Sequence, residues 1–579
     1  MGGLDQRRRQ YHVHKRLQGL EPWSAESPSL YELEVNVIDQ AGNIVEAAVQ
    51  KVGFRRFRIE NGIMTLNGKR IVFKGADRHE FDAKRGRSIT EQDMIDDVIF
   101  CKRHNINAIR TSHYPNQERW YDLCDEYGIY LIDETNLETH GSWCLPGDVV
   151  TAETAVPGSK AHWEGACVDR VNSMMRRDYN HPSVLIWSLG NESYVGDVFR
   201  AMYKHVHDID PNRPVHYEGV THNRDYDDVT DIETRMYSHA DEIEKYLKDD
   251  PKKPYLSCEY MHAMGNSVGN MDEYTALERY PKYQGGFIWD FIDQSIRVKD
   301  RYGKDAYFYG GDFGERPADW DFSCNGIVFG DGSESPKMQE VKYNYQSVFA
   351  DVSRDSVTIR NHSLFTSTAA WRCVATLSRD GREIARREIK TDVAPGETAT
   401  LPLPFPEQTR GGEYTVTLSF RQREATEWAE AGYEVAFGQG SWRVEEKKTA
   451  VPAAPVLVVD GFNNLGVTGE HFSVLFSKTQ GKMISYRAGG VEMLKAAPMP
   501  NFWRAPTEND YGNRMPQRYG QWKLASLYCL PMDKPQVQNE VDGGVSITYL
   551  YALPTTPAAQ CAVRYTVHPC GRVDAELRY

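Results

Sequence analysis

The sequence lacks paired cysteines, an excess of positive charge and any long apolar run. Its ten cysteines are scattered, with no two standing as CxxC. That argues against a zinc cluster and a disulfide framework, and for a reducing compartment. No stretch of about eighteen apolar residues occurs, and the N-terminus has no apolar core of the signal-peptide kind, so no membrane span and a cytoplasmic location are expected. Lysine and arginine number 68 against 82 acidic residues, a net charge of −14. The strongest basic patch is QRRRQ, with Arg7, Arg8 and Arg9. It reads as a solvated tail rather than a nucleic-acid site. Polyanionic partners are disfavoured and a neutral substrate fits. There is no internal repeat.

The remaining composition, 40% apolar, 11% aromatic and 26% charged, is ordinary for globular chains. At 579 residues the chain is too long for one core, and about three to five domains are expected. Between residues 70 and 290 strand-like runs alternate with helical ones. The strands read IVFKGADRH (71–79), AIRTSH (108–113), YLIDET (130–135), SVLIWSLGNE (183–192), PVHYEG (214–219), TRMYS (234–238), PYLSCEY (254–260) and GGFIWDF (285–291). Thr90 to Asp93 resembles a capping box before MIDDVIFCKRHN. In NQERWYDLCDEYG, the residues Trp120, Leu123, Cys124 and Tyr127 share one helical face. The connection from the fifth to the sixth strand is short and polar, with no clear helix.

Eight such β units in about 220 residues predict a (β/α)8 TIM barrel, flanked by β-sandwich domains. A doubly wound sheet would normally show a Gly-rich phosphate turn after its first strand, and GADRH (75–79) is not one. Barrel chemistry sits at the C-terminal strand ends. Those ends hold His79 and Glu80, His113, Asp133 and Glu134, Glu192, Tyr237, Glu259, and Asp290. The predicted division is a hairpin remnant of an immunoglobulin-like sandwich over 1–53, the catalytic barrel over 54–345, a β-sandwich over 346–447, and an incomplete C-terminal all-β region over 448–579.

The run VLIW (184–187) reads as a buried strand that breaks at Gly190 into Asn191, Glu192 and Ser193. Buried carboxylates are costly unless paired, and a lone glutamate at a strand end is more often an ion-pair partner than a catalyst. If Glu192 ends the fourth strand and Glu259 the seventh, however, the two face each other across the barrel mouth. One then stays ionised while the other keeps a proton. Glycoside hydrolysis needs such a pair, and a separation of about 5–5.5 Å would make it retaining.

The motifs RHEF, SHYPN, DETNLETHG, NHPSVLIWSLGNES, CEYMHAMGNS, QGGFIWDFIDQS, GGDFGE and FSCNGIVF together resemble glycoside hydrolase family 2, nearest its bacterial lac-type β-galactosidases. The likeness runs in order from about residue 22 to 579. It implies a retaining exo-glycosidase acting on terminal β-D-galactosides, with Glu192 as acid/base and Glu259 as nucleophile. It further implies that Asn191 bonds the sugar 2-hydroxyl, that Tyr237 orients the nucleophile, that His79, His113 and His262 line the sugar site, and that Trp289 forms its aromatic floor. Glu138, His140 and Glu192 match a Mg²⁺ site, and Phe322 (through its carbonyl) with Asn325 matches part of a Na⁺ site. The jelly-roll domain with which family members normally begin, which supplies an Asp and an Asn to the pocket, has no counterpart, and the C-terminal sandwich looks cut short. A homo-oligomer or a complementing N-terminal chain is therefore expected. The alternatives are a catalytically weak fragment or another family member such as a β-glucuronidase, for which no basic or amide cluster stands out. A plain carbohydrate-binding module would not need two facing glutamates.

Overall fold

The computed structural model describes residues 17–144, 147, 149–445 and 454–579. The basic run Arg7–Arg9 lies outside them. Two compact units result, one ending at Glu445 and one starting at Glu446.

The first unit is built on an eight-stranded parallel sheet. Its barrel strands are, in chain order, Phe73–Asp77, Ala108–Arg110, Tyr130–Glu134, Val184–Ser188, Val215–His216, Glu233–Met236, Tyr255–Tyr260 and Tyr283–Ile288. The sheet runs from the fifth strand back to the first and continues through the eighth and seventh to the sixth. Every ladder is parallel. Near-continuous apolar runs make these strands buried on both faces, as parallel strands wrapped in helices must be. The fifth strand has only two residues, and no ladder joins it to the sixth among the described residues. Asp231 closes that gap instead. Its N–H donates to the Val215 carbonyl at 2.9 Å, and its carboxylate accepts the Val215 N–H at 2.7 Å.

Helices follow where capping and periodicity place them. Glu91–Arg103 starts with a capping box, the Thr90 hydroxyl taking the Asp93 N–H and the Asp93 carboxylate taking the Thr90 N–H. Glu118–Tyr127 buries Trp120, Leu123 and Cys124 against the sheet and ends at Gly128, which has φ +77°. The polar connection between strands five and six, expected to hold no helix, carries two short 3₁₀ turns, Glu218–His222 and Arg224–Val229. Local Asp and Asn side chains support such turns better than an α-helix.

Before the barrel stands the hairpin Tyr31–Ile38 with Ile44–Val52, turning through Asp39–Asn43. Leu33, Val35, Val37, Val45 and Val49 are all exposed. After the barrel, a three-stranded and a four-stranded antiparallel sheet share a core around Val357, Ile359, Val416, Leu418 and Phe420. The second unit has two antiparallel sheets around Val467, Phe476, Ile547 and Tyr549. Three short helices between Glu508 and Leu527 connect them. All ten cysteines are free. No helix among the described residues is long and apolar enough to cross a membrane.

Candidate active site

The C-terminal strand ends gather around one guanidinium. Arg110, the last residue of the second strand, is fully buried. Its Nε donates to Glu134 Oε2 at 2.7 Å, and its Nη1 to Asp77 Oδ1 and Glu259 Oε1, both at 3.0 Å. Its Nη2 donates to Glu134 Oε1 at 3.1 Å and Asn191 Oδ1 at 2.8 Å. An arginine surrounded by three carboxylates is held fully charged, and its fork geometry fixes each oxygen in turn. Burial alone would push Glu134 up, but Arg110 and His113 bring it down to about 2. His113 Nδ1 lies 2.7 Å from Glu134 Oε1 and its Nε2 lies 3.9 Å from Glu259 Oε1.

Glu259 sits in the seventh strand and is 5% exposed, so one face alone is open to a ligand. Its Oε1 accepts from Arg110, and its Oε2 accepts the Tyr237 hydroxyl at 2.6 Å. Each carboxyl oxygen of Glu259 thus meets a hydrogen-bond donor. Tyr237 follows the sixth strand at φ +54°, and its N–H donates to the Glu259 carbonyl at 2.9 Å.

Glu192 was expected to end the fourth strand. The ladder in fact stops at Ser188, and Glu192 stands four residues further on, in a turn, at φ +36°. The turn forms because Gly190, at φ +136°, lies against the Leu137 carbonyl where no Cβ fits. There Asn191 donates its N–H to that carbonyl at 2.8 Å. Burial raises Glu192 above the ordinary carboxylate range; His140 opposes this, while Glu259 and Glu138 add to it. Two carboxyl groups that feel each other's charge, one held by donors and one pushed toward its neutral form, are therefore in place. The asymmetry suits one nucleophile and one proton donor.

The aromatic residues surround this pair. His113 stacks on Trp289 with centroids 5.1 Å apart and planes at 9°, and His79 meets the same indole edge-on at 5.4 Å. Burial lowers His79 to about 3, so it is a neutral hydrogen-bonding ring, 3.3 Å from the Tyr114 hydroxyl. His262 packs against Tyr237 and Phe322. Trp289 is only partly buried.

The two cation sets differ in how far they are assembled. Glu138 pairs in a backbone bridge with Asn191, and His140 Nδ1 lies 3.3 Å from Glu192 Oε2. Two carboxylates and an imidazole thus share one rim, though no three such groups among the described residues converge as a closed ligand set. At the other set, Asn325 Oδ1 is buried with no hydrogen-bond partner among the described residues, an acceptor that a cation suits, while Asn325 Nδ2 donates to the Phe322 carbonyl at 2.6 Å.

Three participants escaped the sequence reading. Arg110 stood in plain view as a charged residue directly after the apolar pair Ala108 and Ile109 in a run read as a buried barrel strand, and that anomaly was the available signal. Glu218 accepts the Glu192 N–H at 2.8 Å, and burial raises its own carboxyl to about 8. Trp143 donates its indole N–H to the Glu192 carbonyl at 2.8 Å. Nothing local marks either of these two. A cavity of about 1300 Å³ lies elsewhere, lined by Lys74, Lys102, Asn107, Tyr130 and Glu278 near the N-terminal ends of the strands, and none of the candidate residues borders it.

A parallel barrel with paired glutamates at its mouth defines the glycoside hydrolase class of site. Sequence comparison agrees: the TIM-barrel domain of glycosyl hydrolases family 2 matches residues 57–350, and this chain belongs to that family. Further matches are the family 2 domain at 4–55, domain 4 of beta-galactosidase at 357–443 and the beta-galactosidase small chain at 468–579. The chain is 54% identical to beta-galactosidase BgaC of Bifidobacterium adolescentis over 97% of its own length and 55% of that protein. It is 49% identical to a beta-galactosidase of Halalkalibacterium halodurans over 96% and 55%. The large subunit of a Latilactobacillus sakei beta-galactosidase matches at 47% over 58% of this chain and 54% of that protein. The chain thus spans about half the length of the first two relatives.

Proposed function

We propose that this chain hydrolyses terminal β-D-galactosides with retention, Glu259 acting as nucleophile and Glu192 as acid/base. The observation that carries the reading is the unequal pair: Glu259 between the Arg110 and Tyr237 donors, Glu192 pushed toward its protonated form beside it. In the first step a Glu259 oxygen forms a bond to the anomeric carbon as the glycosidic C–O bond breaks, and the Glu192 proton passes to the departing oxygen. In the second, Glu192, now ionised, takes a proton from water whose oxygen bonds to the same carbon, and Glu259 leaves as carboxylate. Trp289, with His79 and His113 beside it, offers an apolar ring face and polar edges to a hexose. Proton NMR of the fresh hydrolysate tests the reading. The β-anomer of galactose should appear first and mutarotate later; the α-anomer appearing first would exclude a glycosyl-enzyme intermediate.

Mg²⁺ held by Glu138, His140 and Glu192, and Na⁺ held by the Phe322 carbonyl and Asn325 Oδ1, belong to the same proposal. Both donor sets suit hard cations, with a single imidazole making the first affinity modest. A divalent cation would supply positive charge beside Glu192, whose Oε2 lies 3.3 Å from His140 Nδ1. Exhaustive chelation at neutral pH should lower kcat on an aryl galactoside by about tenfold, on the scale of lost support to a metal site, with Mg²⁺ restoring it. Unchanged rates in a metal-free sample would remove the cation from the account.

A further polypeptide, or a second copy of the chain, is proposed to work with this one in a cytoplasmic setting. One relative bears the name "Beta-galactosidase large subunit", and that supports a divided enzyme.

A further inference from the structure

Three consecutive backbone N–H groups form the turn that carries the acid/base, and each has a separate acceptor. Asn191 N–H donates to the Leu137 carbonyl at 2.8 Å, Glu192 N–H to Glu218 Oε1 at 2.8 Å, and Ser193 N–H to the Tyr217 hydroxyl at 3.2 Å. Tyr217 also donates to the Ser193 carbonyl. Two of the three acceptors therefore come from one dipeptide, which leaves the barrel directly after the fifth strand ends at His216.

Glu218 is the unusual member. It is 3% exposed and opens a 3₁₀ turn, and its second carboxyl oxygen has no hydrogen-bond partner among the described residues. A buried carboxyl with one oxygen left over is costly compared with an apolar side chain. Packing alone gives no reason for it. The N–H it accepts at 2.8 Å belongs to Glu192, whose φ of +36° lies where non-glycine residues seldom rest. Strained backbone persists only where surrounding contacts over-determine it.

We propose that Glu218 is a positioning residue: by accepting the Glu192 N–H it holds that residue in its left-handed conformation and so aims the Glu192 carboxyl at the leaving oxygen. The inference rests on the assignment of Glu192 as acid/base. Without Glu218, the Glu192 peptide relaxes toward negative φ and its carboxyl moves away from the glycosidic oxygen. A displacement of about 1 Å at a reacting group costs on the order of 10²-fold.

The test uses the full chain, Glu218→Ala and Glu218→Gln, and two galactosides, one with a phenyl and one with a 2,4-dinitrophenyl leaving group. Phenoxide needs a proton to depart and dinitrophenoxide does not. In Glu218→Ala, kcat/KM should fall about 10²-fold on the phenyl substrate and stay near wild type on the dinitrophenyl one. Added azide, which needs no general base, should raise kcat on the latter. Glu218→Gln keeps an acceptor oxygen and should recover most of the loss. A purely structural role would lower both substrates together without azide rescue, and that result overturns the proposal, as does an unaffected Glu218→Ala. Amide hydrogen exchange across Asn191–Ser193 gives a readout independent of turnover. It should speed up at least about tenfold in Glu218→Ala, with the other barrel amides unchanged; unaltered exchange overturns the proposal. A wild-type chain inactive on both galactosides counts against the functional reading alone, and exchange then decides the role of Glu218.

Discussion

Glu259→Gln is expected to remove turnover, by at least about 10³-fold, while leaving the melting temperature near wild type. The substitution keeps the volume, so the seventh strand stays packed. Its amide oxygen can still accept from Arg110, and its amide nitrogen can face the Tyr237 hydroxyl. What is lost is the carboxylate oxygen that the proposed mechanism bonds to the anomeric carbon. Glu192 should feel the change as well. The charge of Glu259 is one of the influences that raise Glu192, so in the variant Glu192 titrates closer to an ordinary carboxyl. Initial rates and a thermal melt, measured on the same preparation, check both halves. Near-normal turnover would displace Glu259 from its role.

The second large effect concerns stability. Arg110→Met should destabilise the barrel by about 3–5 kcal/mol, because removing one partner of a buried ionic cluster leaves the others uncompensated. Here Glu134 and Glu259 lose the cation they share, and Asp77, which burial pushes toward its neutral form, loses a donor. The effect has a pH signature. Glu134 is depressed from 4.5 to about 2 in the folded chain. A depressed carboxyl contributes stability that is fully present above its unfolded value and is lost as pH falls through the folded one. Arg110→Met forfeits that contribution, so its deficit should be complete at neutral pH and shrink between about 4.5 and about 2. Melts of both proteins across that range measure it. A deficit independent of pH would mean that Arg110 acts by packing alone.

How much of this was legible in the chain follows from the physics of each element. The eight barrel strands were readable because buried parallel strands need apolar runs on both faces, and those runs are bounded by polar segments. The carboxylates and histidines were readable because the barrel puts its chemistry at one end of every strand. Where a ladder stops was not readable. Apolar character continues through Leu189, yet pairing ends at Ser188, and Glu192 owes its place to Gly190 and the carbonyl of Leu137. Contacts across strands were hidden for a related reason. Alternation reports which face a residue takes, and says nothing of what meets it there, so neither the partners of Arg110 nor the Glu218 acceptor had a local signature. The gap between the fifth and sixth strands, bridged by Asp231, was equally silent, because the side chain that bridges it sits in a connection that reads as ordinary loop.

The central proposal is that this chain cleaves a neutral β-galactoside; the barrel, the paired glutamates and the part-buried indole of Trp289 support it. The most direct measurement is the initial rate of the purified chain on an aryl β-D-galactoside, with the matching β-D-glucuronide in parallel. The account predicts galactoside turnover that disappears in Glu259→Gln, and little or none on the glucuronide. Glucuronide turnover exceeding that on the galactoside, or galactoside turnover that survives Glu259→Gln, would contradict it.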